Sequence, residues 1–146
     1  MKNKTKIFID LDGTISGCSI WKGVLWNTLQ LFRTDLLINI PKAVRWSILT
    51  CRPRIDMLFI KRVCIKYKLN PDKIIQPSTW LYPFKTFEDS ISWKSSILSD
   101  RLDYINTNKV IYVDNDLYVL SKIMPQKNLI LCTASSLQNI LDIEDV

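Results

Sequence analysis

Near its N-terminus the chain reads Lys6-Ile7-Phe8-Ile9-Asp10-Leu11-Asp12-Gly13-Thr14. The three consecutive β-favouring apolar residues over 7–9 predict a short buried strand. Two aspartates separated by one residue follow this strand directly, and Gly13 then permits a sharp turn. Ligands of open α/β sheets bind in the crevice outside the carboxyl ends of the strands. We therefore expect Asp10 and Asp12 to face such a crevice.

The rest of the chain alternates between short apolar runs and amphipathic segments. The predicted strands are 7–9, 46–49, 73–76, 110–113 and 129–131. The predicted helices are 21–32, 54–67, a segment from Asp89 or Ser90 to about 105, 117–124 and 136–141. The inward-facing residues predicted for the helix over 54–67 are Ile55, Leu58, Phe59 and Val63. This alternation predicts an α/β fold of one domain over 1–146, with a mostly parallel sheet and helices on both faces.

Composition limits the chemistry that the chain can perform. It contains no histidine, which excludes Ser-His-Asp and Cys-His catalysis and argues against a zinc site. Its three glycines cannot form either of the glycine-rich phosphate loops. The four cysteines form no CxxC pair and are expected to be free or buried thiols. Catalysis would therefore depend on carboxylates, lysine, hydroxyl groups and a hard cation.

No segment has the features of a membrane span or a signal peptide. The most apolar region, 20–49, is interrupted by charged residues, and no run reaches the roughly 18 apolar residues that a span requires. The basic N-terminus leads directly into the first strand without a cleavage site. We therefore predict a cytoplasmic protein without a membrane partner.

Other predicted strands also end in polar residues. The second strand runs into Thr50-Cys51-Arg52-Pro53, and the strand over 110–113 runs into Asp114-Asn115-Asp116. Since the carboxyl ends of parallel strands meet at one edge of a sheet, these groups should lie near Asp10 and Asp12. Oxygen ligands without histidine or cysteine favour Mg²⁺, which would also relieve the repulsion among the aspartates.

Lys94 is the lysine that we expect at this edge. It lies beside the apolar stripe of its predicted helix, which contains Ile91, Leu98, Leu102 and Ile105. A lysine on a core-facing edge needs an anionic partner. Two alternatives stay open, because the side chain could cover apolar surface while its charge reaches water, or Lys85 could supply the positive charge.

The segment Asp10-Leu11-Asp12-Gly13-Thr14 resembles the first motif of the haloacid dehalogenase (HAD) superfamily, most of whose members are magnesium-dependent phosphohydrolases. The residues around Thr50 and Asp114 resemble its second and fourth motifs, and Lys94 is our choice for the lysine of its third. The resemblance implies a three-layer Rossmann-like HAD fold. It covers residues 6 to about 132 and rests on about ten motif positions.

The resemblance also implies a role for each motif residue. Mg²⁺ would be held by the Asp10 carboxylate, the Asp12 backbone carbonyl and the Asp114 carboxylate. Asp10 would attack phosphorus to form an aspartyl phosphate, and Asp12 would act as the general acid and base. Thr50 and Lys94 would stabilise the phosphoryl oxygens. The chain departs from the usual fourth motif, so either Asn115 or Asp116 would support the metal.

Motif spacing limits what can cover the site. From Thr14 to Thr50 is 36 positions and from Thr50 to Lys94 is 44. Both intervals also contain core elements, so we expect a capless or minimally capped enzyme. Whether 16–45 form a lid stays open. An open crevice admits bulky substrates, whereas a small metabolite would need a partner subunit to close over it.

Charge favours a polyanionic partner. Between Lys42 and Lys73 nine basic residues stand against two acidic ones, a surplus of seven in a chain of net charge +6. Such a patch is typical of nucleic-acid binding, although a solvated helix face accounts equally well for part of it. Arg52, two residues beyond Thr50, is predicted to bind a second phosphate or a nucleotide. The tryptophans that could stack on bases are Trp21, Trp26 and Trp80.

The favoured function is hydrolysis of a phosphomonoester, with a nucleotide or a nucleic-acid end as the substrate. The first alternative is a small-molecule phosphatase acting on a sugar or organic phosphate. The second is a HAD-like module that binds nucleic acid or protein without catalysis. A signalling receiver domain uses similar residue types, but its phosphoacceptor comes from the third strand.

Overall fold

The computed structural model describes residues 5–16, 38–103 and 107–144. Its strands are β1 (Thr5–Ile9), β2 (Ser47–Leu49), β3 (Ile74–Ile75), β4 (Lys109–Val113) and β5 (Leu129–Cys132). Its α-helices are α1 (Met57–Lys66), α2 (Phe87–Leu102), α3 (Leu117–Lys122) and α4 (Leu137–Glu144). The predicted helix over 21–32, Cys18, Trp21 and Trp26 lie outside the described residues.

The five strands form one sheet in the order β3-β2-β1-β4-β5, and every neighbouring pair is parallel. The predicted α/β fold with a parallel sheet is therefore confirmed. After β1 the chain builds β2 and β3 on one side, and β4 and β5 then extend the sheet on the other side of β1. This reversal makes the carboxyl ends of β1 and β4 the point where a ligand crevice is expected.

Successive residues of β1 and β4 point to opposite faces of the sheet, so the described chain has two hydrophobic clusters. One cluster joins the sheet to helices α1 and α4, and it includes Ile7, Ile9, Ile111, Val63 and Leu141. The other joins the sheet to α2 and α3, and it includes Phe8, Tyr112, Ile91, Leu98 and Val119. Every strand of this parallel sheet that carries site residues is thus packed on both faces.

Helix α1 differs from its prediction in the face that it buries. Ile60, Val63 and Cys64 are buried, whereas Leu58 is 68% exposed and Ile55 is 38% exposed. Ile55 lies in the 3₁₀ helix Arg54–Asp56 that precedes α1, and Leu58 lies on the side of α1 away from the buried residues. Two of the four predicted inward residues therefore face outward.

Helix α2 begins earlier than predicted. Thr86 is its N-cap, and the Thr86 hydroxyl accepts a hydrogen bond from the Asp89 backbone N–H at 3.1 Å. The predicted caps, Asp89 and Ser90, lie inside the first turn, where acidic residues such as Asp89 stabilise the helix N-terminus.

Among the described helices, none combines the length and the apolar character that crossing a membrane requires.

The described cysteines, Cys51, Cys64 and Cys132, are free and buried. Burial raises the pKa of each of the three thiols to about 11. These thiols therefore stay protonated at neutral pH and are poor nucleophiles.

Candidate active site

Asp10 emerges from the centre of the sheet. Its backbone N–H donates to the Val113 carbonyl at 2.9 Å, which extends the β1–β4 ladder by one residue. The chain then turns at Gly13, whose φ of +79° lies in the left-handed region that glycine adopts without strain. This turn brings Thr14 back, and the Thr14 hydroxyl donates to Asp10 Oδ2 at 3.1 Å.

Lys94 extends from α2 to the same carboxylate. Its Nζ donates to Asp10 Oδ1 at 2.6 Å and lies 3.6 Å from Asp114 Oδ2. The side chain is buried beside the apolar stripe of α2, as its sequence position indicated. Lys85 is exposed. Of the two candidate lysines, Lys94 is thus the one that the structure brings to the aspartates.

Tyr112 is a site residue that sequence reasoning missed. Its hydroxyl accepts a hydrogen bond from Lys94 Nζ at 2.9 Å and donates one to Asp114 Oδ2 at 2.7 Å. The ring is fully buried in β4, two residues before Asp114, so both side chains point to the same face. The sequence did contain a signal for it, because Tyr112 lies in a predicted buried strand and a buried tyrosine hydroxyl needs a polar partner.

Asp114 and the two residues after it have separate partners. The second oxygen of Asp114, Oδ1, accepts from the Asp116 backbone N–H at 2.9 Å. Asp116 caps α3 through its side chain. Asn115 donates to the Gly13 carbonyl at 3.2 Å and accepts from the Ala134 backbone N–H at 2.9 Å. Asn115 thus joins the turn after β1 to the segment after β5, whereas Asp116 is occupied at the helix end.

Arg52 holds the carboxylate of Asp12. Its Nε and Nη2 donate to Asp12 Oδ1 at 2.9 and 2.7 Å, and Nη1 donates to Asp56 Oδ2 at 3.2 Å. The arginine side chain is fully buried, whereas the predicted binding of a second phosphate requires an accessible guanidinium. Its guanidinium faces two protein carboxylates rather than an open crevice. Asp56 was not predicted, although its i+4 spacing from Arg52 is a recognisable signal.

Thr50 follows β2, the strand next to β1. Its backbone N–H donates to the Ile75 carbonyl at 3.0 Å, and its hydroxyl accepts from the Arg52 backbone N–H at 3.2 Å. The residue is fully buried. Thr50 therefore lies at the same sheet edge as Asp10, and its hydroxyl supports the turn that leads into Arg52.

Burial is the largest cause of the pKa shifts of Asp10 and Asp12. It raises the pKa of Asp10 to about 7, although Lys94 lowers that pKa, and Asp114 raises it further. Burial also raises the pKa of Asp12, and Arg52 acts in the opposite direction. For Lys94, burial lowers the pKa, but the combined effect of its neighbours, Asp10 first among them, outweighs burial and raises the pKa well above the usual value.

The charges and donors of this cluster suit a hard cation. Among residues 5–16, 38–103 and 107–144, the four aspartates Asp10, Asp12, Asp56 and Asp114 form ion pairs with two cations, Lys94 and Arg52. The surplus is negative, and the available ligands are oxygen atoms, which Mg²⁺ prefers. Within the described residues, no group of three or more acidic or cysteine side chains is arranged to hold a metal ion. The predicted ligands, two carboxylates (Asp10 and Asp114) and one backbone carbonyl (Asp12), are of the oxygen type that Mg²⁺ binds.

Comparison with protein-family models, with curated proteins and with solved structures finds no match to this chain. A functional assignment must therefore be argued from the chemistry of the site, since a Rossmann-like architecture is compatible with many activities.

Proposed function

We propose that this chain is a magnesium-dependent phosphomonoester hydrolase that acts through an aspartyl phosphate on Asp10. One observation carries the proposal. The Asp10 and Asp114 carboxylates, at the ends of neighbouring parallel strands, share the buried ammonium of Lys94 at 2.6 and 3.6 Å. Two buried carboxylates on one cation are costly for folding, which makes a functional role the better explanation.

In the first step, an Asp10 carboxylate oxygen attacks phosphorus, and the ester P–O bond breaks. The leaving oxygen takes its proton from Asp12. The raised pKa of Asp12 favours the protonated form that this step requires. Arg52 holds the Asp12 carboxyl group in one orientation and is in our proposal a positioning residue.

In the second step, water attacks the phosphorus of the aspartyl phosphate while Asp12 accepts a proton from that water. The Asp10–phosphorus bond breaks and inorganic phosphate leaves. Lys94 and Thr50 stabilise phosphoryl oxygens throughout. Mg²⁺, held by the Asp10 and Asp114 carboxylates and the Asp12 carbonyl, would supply charge neutralisation for the phosphoryl group.

The proposal includes the finer assignment of the fold, namely a three-layer HAD architecture with at most a small cap. We further propose a nucleotide or nucleic-acid terminal phosphate as the substrate. Support comes from the basic segment that follows Arg52, because Arg54 is exposed on the turn and Lys61, Arg62 and Lys66 are exposed along α1, which leads away from the carboxyl edge of the sheet. A positive surface concentrates phosphorylated substrates near the crevice.

The proposal is tested by phosphate release with and without Mg²⁺. The substrates are an aryl phosphate, nucleoside monophosphates, sugar phosphates and oligonucleotides phosphorylated at the 3′ or 5′ end. We expect magnesium-dependent release that Asp10→Asn abolishes and that the exposed control Asp100→Asn leaves intact. If no substrate is hydrolysed by a folded protein, the proposal fails, and a nucleic-acid binding assay then tests the non-catalytic alternative.

A further inference from the structure

A cavity of about 350 Å³ is formed by the segments that follow β2 and β3. It is lined by Arg54, Met57, Ser78 and Trp80. The Trp80 side chain is unusually accessible for so large an apolar residue, being 67% exposed. Pockets that bind small ligands combine apolar and aromatic walls with a few polar groups, which is the composition found here.

Backbone hydrogen bonds join the two segments that line the cavity. The Arg54 N–H donates to the Thr79 carbonyl at 3.0 Å, and the Ile55 N–H donates to the Trp80 carbonyl at 3.2 Å. The Gln76 side chain donates to the Arg52 and Pro53 carbonyls at 3.2 and 2.9 Å. Arg54 and Trp80 are thus held opposite each other by the fold.

Both segments lead directly to the candidate catalytic residues. Arg54 is two residues from Arg52, which contacts Asp12, and two residues of chain span at most about 7 Å. On the other segment, Tyr82 lies two residues beyond Trp80. Burial raises the pKa of Tyr82, and Cys51 and Asp12 raise it further, whereas Lys94 lowers it. The two segments that line the cavity therefore begin at the carboxyl edge of the sheet, where Asp10 and Asp12 also lie.

We propose that this cavity binds the base of a nucleotide whose phosphate monoester lies at Asp10. The inference rests on the proposed function, because it assigns the recognition site for the leaving group of that reaction. The exposed face of the Trp80 indole provides a stacking surface for a base. The Arg54 guanidinium and the Ser78 hydroxyl offer hydrogen bonds to the base edge. A sugar phosphate has no planar apolar group to use such a surface.

The test compares kcat/KM for a nucleoside monophosphate with kcat/KM for glycerol phosphate. We expect Trp80→Ala to lower this preference by about tenfold, which corresponds to the loss of one base-stacking interaction. Trp80→Phe should restore most of the preference, because it keeps an aromatic face. Leu81→Ala is the matched control, since Leu81 is 66% exposed on the same segment but does not line the cavity.

A second substrate distinguishes a free nucleotide from a nucleic-acid end. The kcat/KM preference over glycerol phosphate is also measured for an oligonucleotide that carries a terminal phosphate. The substrate whose preference falls more in Trp80→Ala is the natural source of the base. A preference that Trp80→Ala leaves unchanged for both substrates, in an active enzyme, overturns the inference.

Calorimetric titration separates this inference from the proposed function. The titrant is a nucleoside monophosphate, and the protein is the Asp10→Asn variant with and without Trp80→Ala. If the wild-type protein hydrolyses none of the esters, Trp80-dependent binding refutes the hydrolase proposal but supports the base site. Absence of both hydrolysis and Trp80-dependent binding refutes both.

Discussion

Two buried cations in this molecule hold pairs of carboxylates in different ways. Lys94 lies among Asp10, Asp114 and the Tyr112 hydroxyl, and one ammonium nitrogen serves all three. Arg52 lies between two aspartates, and three of its nitrogens form hydrogen bonds with them. The Lys94 cluster is therefore centred on a point charge, whereas the Arg52 cluster is organised by a rigid fork.

This difference fits the two tasks in the proposed reaction. An ammonium group neutralises nearby oxygens without imposing one orientation, so Lys94 can contact Asp10 and then a phosphoryl oxygen. A guanidinium fixes the carboxylate that it binds, so Arg52 can keep Asp12 directed at the leaving oxygen. The choice between lysine and arginine thus distinguishes a group that must change partners from one that must stay in place.

The largest expected effect is that of Lys94→Met, which removes the charge of the first cluster. Two neighbouring buried carboxylates would lose their cation, and such losses cost about 3–5 kcal/mol of unfolding free energy. Phosphate release should fall at least about a hundredfold. Denaturant unfolding and activity assays measure both effects. Lys85→Met, at an exposed lysine, is the control, and equal stability of the two variants would contradict the assignment.

Arg52→Lys tests whether the planar guanidinium contributes to stability and activity beyond its positive charge. The variant keeps a cation but loses the paired hydrogen bonds to Asp12, so we expect a loss of about 2 kcal/mol in stability. If Arg52 is a positioning residue, kcat should fall about tenfold while KM changes little. The control is Arg45→Lys, because Arg45 forms an exposed ion pair with Asp72 at 3.0 Å and its side chain is 87% exposed.

That control should change the unfolding free energy by less than about 0.5 kcal/mol. An Arg52→Lys variant with the stability and the kcat of the wild type would show that the charge alone is sufficient.

The raised pKa of Asp10 predicts how stability depends on pH in the absence of divalent cations. The folded carboxyl titrates at about 7 instead of 3.8, so it holds its proton more tightly than the unfolded chain does. Rising pH then favours the unfolded chain, and stability should fall by roughly 2 kcal/mol between pH 5 and pH 7. Unfolding curves of wild type and Asp10→Asn measure this, because the variant should lose most of that slope.

The smallest expected effect is that of Tyr112→Phe, which removes one hydroxyl and preserves the ring. Lys94 and Asp114 each lose a hydrogen bond but keep other partners, so we expect a cost of about 1 kcal/mol. Tyr67→Phe, at a half-buried tyrosine, is the control. A Tyr112→Phe variant more stable than the wild type would show that the hydroxyl is a burden on folding.

Part of the site could be predicted because it depends on local pattern and strand direction. The apolar runs before Asp10, Thr50 and Asp114 predicted strands, and parallel strands bring their carboxyl ends to one edge. Lys94 could be selected because helix periodicity placed it beside an apolar stripe. The exposure of Ile55 and Leu58 was missed, because Ile55 lies in a 3₁₀ turn before α1 and the buried face of α1 is formed by Ile60, Val63 and Cys64.

The sequence alone thus determined the α/β class, the parallel sheet and the candidate residues at its carboxyl edge, because these follow from short-range periodicity. Only the tertiary structure decided which charges meet. Lys94 reaches Asp10 across 84 positions, and Arg52 reaches Asp12 across 40. Whether an arginine faces a ligand or another protein side chain depends on which elements pack together. For these two pairs no local pattern contains that information, because the Asp10 and Asp12 carboxylates follow β1, far along the chain from Lys94 and Arg52.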